Sequence, residues 1–138
     1  MKIAAGVSVA IGATTSRHDD GSYTAPYEMA RALTLFAAHG ANTAAIDTVF
    51  PAIKDEEGLA SYAARARRDG FTGMMAIHPS QVGPINAAFT PSADEVARAQ
   101  AIIDAFAANP GVGVLQVDGK MVDAPHLKQA HHILSLAD

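Results

Sequence analysis

The sequence predicts an α/β fold in which helices cover a parallel sheet, on three observations. Short apolar runs alternate with helical periodicities, and the helix-terminating glycines Gly40 and Gly70 recur thirty positions apart. The runs are apolar at consecutive positions, as in strands buried on both faces, so the repeating unit reads as βαβ. A chain of 138 residues with 49% hydrophobic content suffices for one packed domain of ordinary size.

Taken in order, Val7 to Ile11 fits a first strand, and Gly12 to Ser22 a polar loop with His18, Asp19, Asp20 and Gly21. A short export signal at the start is the competing reading, but Gly6 and Gly12 break the apolar stretch and a buried strand explains it better. Thr24 is placed to cap a helix with Pro26 in its first turn, Met29, Leu33 and Phe36 on one face, and Gly40 at its end. Thr43 to Ile46 reads as the second strand, closing on Asp47 and Thr48. Asp55 then caps a helix from about Glu56 to Arg68, Gly70 ends it, and Gly73 to Ile77 is the third strand.

Beyond His78 the pattern changes. Ser92-Ala93-Asp94-Glu95 is a capping box, opening a long helix with Val96, Ala99, Ile103 and Phe106 on one stripe and Asn109-Pro110-Gly111 as its stop. Val112 to Val117 predicts a strand, Asp118-Gly119 a hairpin turn, and Lys120 to Val122 the return strand. A last helix begins near Pro125.

The formal charge of −4 and the pI near 5.8 argue against a nucleic-acid face, since Arg65, Arg67 and Arg68 are the only basic cluster and read as a solvated helix face. No stretch approaches the roughly 20 apolar residues that span a bilayer, so no membrane insertion is expected. The absence of cysteine excludes disulfides, thiolate metal sites and a cysteine nucleophile, and fits a cytoplasmic location.

Asp47 and His78 each fall just beyond an apolar strand, the end of a parallel sheet where ligands bind; each also fits a plain cap of the following turn. The loop Ser16 to Gly21 offers one imidazole and two carboxylates, but adjacent residues rarely converge on one ion, and a solvated loop is the simpler reading. His131-His132 point about 100° apart on a helix and read as a surface pair rather than a metal site. The segment Asp118-Gly119-Lys120-Met121-Val122-Asp123-Ala124-Pro125 holds two carboxylates around a lysine. It reads equally as a hairpin with an exposed acid or as the rim of a pocket presenting a proton-exchanging carboxylate.

These segments are more informative together. Ala44 to Phe50, Asp55-Glu56-Glu57-Gly58-Leu59, Gly70-Phe71-Thr72-Gly73, Ile77-His78-Pro79-Ser80-Gln81-Val82, Phe89-Thr90-Pro91-Ser92 and the Asp118 to Pro125 hairpin occur in one order and spacing. In these the chain resembles the C-terminal half of the citrate lyase β-subunit-like family, which includes malyl-CoA and citramalyl-CoA lyases and belongs to the HpcH/HpaI aldolase superfamily. The resemblance implies a partial TIM (β/α)8 barrel: residues 1–90 would be its last three βα units, and residues 91–138 a helix, hairpin and helix lid. It further implies an acyl-CoA thioester substrate, Mg²⁺, and cleavage of the C–C bond next to the thioester. By motif match Asp123 would be the catalytic acid or base, reaching a neighbouring subunit's pocket, and Asp47, Ile77, His78 and Pro79 would belong to the substrate and CoA site.

The family's magnesium-binding carboxylates belong to earlier strands, so no metal ligand is expected in this chain. A closed barrel needs about eight βα units and near 250 residues. Val7-Ser8-Val9 also departs from the acidic-apolar pair usual in relatives, which puts the residues before about Ala10 in doubt as family sequence. The expectation is a chain inactive alone and completed by oligomerisation or swapping; the alternative is a noncatalytic CoA-binding or assembly module that complements a separate half-barrel.

Overall fold

A computed structural model describes residues 11–19 and 21–137. The described chain divides into two compact units, up to Phe89 and from Thr90 onward. The first expected strand, Val7 to Ile11, lies outside the described residues except for Ile11, as does Asp20 of the candidate metal loop.

The first unit opens with α1, Ala25–Gly40, which follows Thr24 and carries Pro26 in its first turn, where a missing N–H costs nothing. Its orientation overturns the amphipathic expectation. Tyr27 and Leu35 are buried, whereas Met29, Leu33 and Phe36 are 66%, 60% and 69% exposed. The inward side of α1 instead carries Glu28 and Arg31, which make ion pairs to other elements.

Strand β1, Ile46–Asp47, pairs in parallel with β2, Gly73–Met74, in the register Ile46 to Gly73 and Asp47 to Met74. Both are shorter than the sequence runs, but the Thr72 N–H bonds the Ala45 carbonyl and the Met75 N–H bonds the Asp47 carbonyl, extending the pairing at each end. Alternation along β1 puts Ala45 and Asp47 on the covered side and leaves Ile46 exposed.

Between these strands runs α2, Glu56–Asp69. Asp55 caps it, accepting the Gly58 N–H at 2.9 Å. Gly70 ends it at φ 106°, and the Phe71 N–H reaches back to the Ala66 carbonyl. That is a Schellman closure, with its hydrophobic contact supplied because Phe71 and Ala66 share a buried cluster with Leu35 and Ala45. Arg68 is exposed as a solvated arginine face requires, with only a 3.8 Å approach to Asp69, whereas Arg65 ion-pairs Glu28 of α1 at 2.6 Å.

After β2 a short 3₁₀ turn, Pro79–Gln81, leads into α3, Val82–Phe89. Gly83 and Pro84 hide this helix from a sequence reading, yet Pro84 falls in the first turn, where backbone N–H groups lack intrahelical partners anyway. Leu59, Ala63, Met74 and Ile85 form the second buried cluster, joining α2, β2 and α3.

The second unit is a helix, hairpin and helix. Ser92 and Glu95 make the expected reciprocal capping box at the start of α4, Ala93–Ala108. Strands β3, Val114–Val117, and β4, Lys120–Asp123, form an antiparallel hairpin. Its two-residue turn has Asp118 at φ 49° and Gly119 at φ 73°, the left-handed pair whose twist matches the flanking strands. Helix α5, Ala124–Ser135, follows without a loop, and Ala99, Ile102, Val122 and Ala130 form this unit's core. Among the described residues the strands make two two-stranded sheets and close no barrel, and no helix is long and apolar enough to cross a membrane.

Candidate functional site

Asp47 and Asp123 end strands, whereas Ile77, His78 and Pro79 lie in the segment that leads from β2 into the 3₁₀ turn. Asp47 is 2% exposed and faces α1. Arg31 grips its carboxylate from Nε at 2.9 and 3.1 Å and from a terminal nitrogen at 2.7 Å, while the Thr48 N–H donates to Oδ1 at 2.8 Å. Arg31 also reaches Asp69 at 2.7 Å and lies over the Phe71 ring, 4.5 Å from its centroid. Burial works against its charge, but the bonds to Asp47 and Asp69 outweigh that and hold the guanidinium protonated far above its ordinary range. Tyr62 lies alongside, and burial together with the Asp47 charge pushes its phenol well above the usual range. The Asp47 carboxylate therefore anchors the end of β1.

The segment after β2 is presented outward, with Ile77, His78 and Pro79 all exposed. His78 Nδ1 accepts the Ser80 N–H at 3.2 Å and contacts the Ser80 hydroxyl at 2.8 Å, capping the 3₁₀ turn. Because Nδ1 accepts from the backbone, Nε2 is the ring nitrogen left for a donor role. Gln81, 1% exposed and without a signature of its own in the sequence, links the segments that follow the two strands: its amide donates to the Phe50 carbonyl and its Oε1 accepts the Ile77 N–H, each at 2.9 Å. Only its place in the Ile77 to Val82 segment hinted at this role.

In the second unit Asp123 ends β4 and serves as the N-cap of α5. Its Oδ1 lies 2.5 Å from His126 Nδ1 and 3.4 Å from the His126 N–H. The bond to the His126 ring holds the Asp123 carboxyl below the usual carboxylate range. The His18–Asp19 loop is shaped by Arg17, which donates to the Gly21 carbonyl at 2.6 Å and stacks over Tyr23. His131 and His132 are both exposed on α5. Among the described residues no group of three or more His, Asp or Glu converges as a cation site.

A parallel strand pair backed by helices, with polar groups gathered just past the strand ends, is how barrel-type α/β enzymes assemble their sites. Residues 24–138 match the family described as C-C_Bond_Lyase of the TIM-Barrel fold, and the chain belongs to that family. It is 36% identical over 126 residues to the citrate lyase subunit beta of Leuconostoc mesenteroides subsp. cremoris, covering 90% of this chain and 41% of the relative. It is 35% identical over 129 residues to the mitochondrial citramalyl-CoA lyase of Rattus norvegicus, covering 92% of this chain and 37% of that protein. Among solved structures, CitE of Mycobacterium tuberculosis, in complex with magnesium, acetoacetate and coenzyme A, superposes with a TM-score of 0.82 at 33% identity, covering 94% of this chain and 48% of that one. The chain thus spans about two fifths of the length of the curated relatives.

Proposed function

We propose that this chain is the Asp123-bearing portion of an acyl-CoA carbon–carbon lyase that cleaves a 3-hydroxyacyl-CoA, such as malyl-CoA or citramalyl-CoA, to acetyl-CoA and a 2-oxo acid. In that reaction the β-hydroxyl loses its proton, the Cα–Cβ bond breaks, and the hydroxyl-bearing carbon leaves as the 2-oxo acid. The bonding pair stays on Cα as the thioester enolate, which then takes up one proton, so the two proton movements balance. Asp123 is the group that exchanges a proton with the enolate carbon. The observation that carries the reading is its carboxylate, partly exposed at the junction of β4 and α5, in a stretch belonging to a C–C lyase family. Ile77, His78 and Pro79 meet the CoA thioester, and Asp47, through Arg31 and Thr48, holds the strand end on which it rests.

Residues 1–90 act as βα units of a TIM-type barrel and residues 91–138 as a lid that delivers Asp123 to a neighbouring subunit, in a cytoplasmic assembly. The described residues do not fit a magnesium site, since no three ligating side chains converge. The cation of the lyase would be held by other residues, and the 138-residue chain alone would not turn over. The same observation supports the alternative of a noncatalytic CoA-binding or assembly module. Titration calorimetry with acetyl-CoA tests the reading: saturable heat that weakens in the Ile77→Asp variant is expected, and no heat at millimolar ligand would remove CoA from the account.

Self-association is the other expectation. Met29, Leu33 and Phe36 leave an apolar stripe on α1, and Ile46 and Ile77 are half exposed. Surfaces of this kind are covered in soluble proteins. Light scattering at micromolar concentration should give a mass at least twice 14.3 kDa, falling in the Leu33→Ser/Phe36→Ser variant. A native monomer would count against it.

A further inference from the structure

Two capping boxes occur in the second unit, and they differ in a way that capping does not require. At α4 the pattern is the ordinary one: the Ser92 N–H donates to Glu95 Oε2 at 2.8 Å, and the Glu95 N–H donates to Ser92 Oγ at 3.2 Å. Those two side chains serve backbone groups. At α5 the third helical position holds His126, the two reciprocal backbone contacts lengthen to 3.3 and 3.4 Å, and the short contact is side chain to side chain, 2.5 Å between His126 Nδ1 and Asp123 Oδ1.

One ring nitrogen cannot play both parts. To accept from the Asp123 N–H it must be bare; to approach an ionised carboxylate oxygen this closely it must carry a proton. The shorter contact decides, so Nδ1–H donates to Oδ1. Both contacts from His126 fall on Oδ1, which leaves Oδ2 outside the pair. The side chains are 35% and 45% exposed, so neither the second carboxylate oxygen nor the far side of the ring is sealed in the core.

We infer that His126 is a positioning residue for Asp123: its Nδ1–H fixes the carboxylate through Oδ1, so that Oδ2 is the oxygen that exchanges a proton, and Nε2 stands as a second exchange point toward water. This rests on the lyase reading for its catalytic meaning, but the pair itself does not. The depressed carboxyl of Asp123 agrees with a donor held against it. A purely structural N3 residue would need only to accept the Asp123 N–H, and glutamate would serve.

The experiment is long-range ¹H–¹⁵N correlation on the whole chain labelled at histidine, near neutral pH. The expected native spectrum shows His126 protonated at Nδ1, against the Nε2–H form that dominates in free neutral imidazole. The Asp123→Ser variant keeps an oxygen for the cap and removes the carboxylate, so His126 should return to the Nε2–H form. A native His126 with a bare Nδ1 overturns the proposal, and this arm needs no variant to fold. In an active assembly, His126→Ala should lower kcat on the order of tenfold or more with KM unchanged, since a misplaced reacting group loses rate rather than binding, and His126→Asn, whose amide is a hydrogen-bond donor, should restore part of it. A raised KM with intact kcat would refute positioning. The spectrum is blind to acyl-CoA cleavage, so failure of the pair and failure of the lyase reading are told apart.

Discussion

Replacing Arg31 with methionine is expected to destabilise the chain by about 3–5 kcal/mol, because breaking a buried pair leaves the surviving charge uncompensated. Arg31 is the only side-chain partner of the Asp47 carboxylate among the described contacts, and the two side chains are 10% and 2% exposed. Without the guanidinium, Asp47 keeps only the Thr48 N–H, and must either desolvate as an anion or take up a proton. The control is Asp69→Asn: that carboxylate is 29% exposed, so its loss should cost no more than about 1 kcal/mol. The double variant Arg31→Met/Asp47→Leu removes both charges and should recover most of the loss. Urea denaturation measures all three; an Arg31→Met shift below about 1 kcal/mol would mean the pair is effectively solvated.

The second large effect falls on catalysis. In an assembly that turns over, Asp123→Asn should lower kcat by roughly 10²–10⁴-fold, the range for removing a positioned acid or base, while KM and stability change little. Asparagine is chosen because it caps a helix about as well as aspartate and cannot exchange the proton. Alanine would confound the result, since losing the cap of α5 itself costs about 1 kcal/mol. If Asp123→Asn and native protein share one kcat, the carboxylate is only a cap.

What the sequence made legible follows local chemistry. Asp55, Gly70, the Ser92–Glu95 box and the Asp118-Gly119 turn each state a backbone requirement in their own side chains, and each appears as read. The orientation of α1 was not legible, because Met29, Leu33 and Phe36 form a good apolar stripe and nothing local says that it faces outward. The answer lies in Asp47 and Asp69, sixteen and thirty-eight positions away, which draw Arg31 inward. Helix α3 was concealed by Gly83-Pro84, residues that break helices in the interior and are harmless in a first turn. For the candidate site, the residue types at the strand ends pointed to Asp47 and His78, but not to the Gln81 link between loops thirty-one positions apart. His126 was within reach: Asp123 and His126 have the same cap spacing as Ser92 and Glu95, and Pro125 marks the helix start.

We propose that Asp123 completes an acyl-CoA lyase whose cation is held by residues other than those described. The most direct test is release of glyoxylate from malyl-CoA, or pyruvate from citramalyl-CoA, measured for this chain alone and when co-expressed with the complementary N-terminal portion of a relative, with and without magnesium. Release is expected only in the paired, magnesium-supplied sample, and is expected to be lost with Asp123→Asn. Turnover by the chain alone, or unchanged turnover of the pair carrying Asp123→Asn, would contradict the proposal.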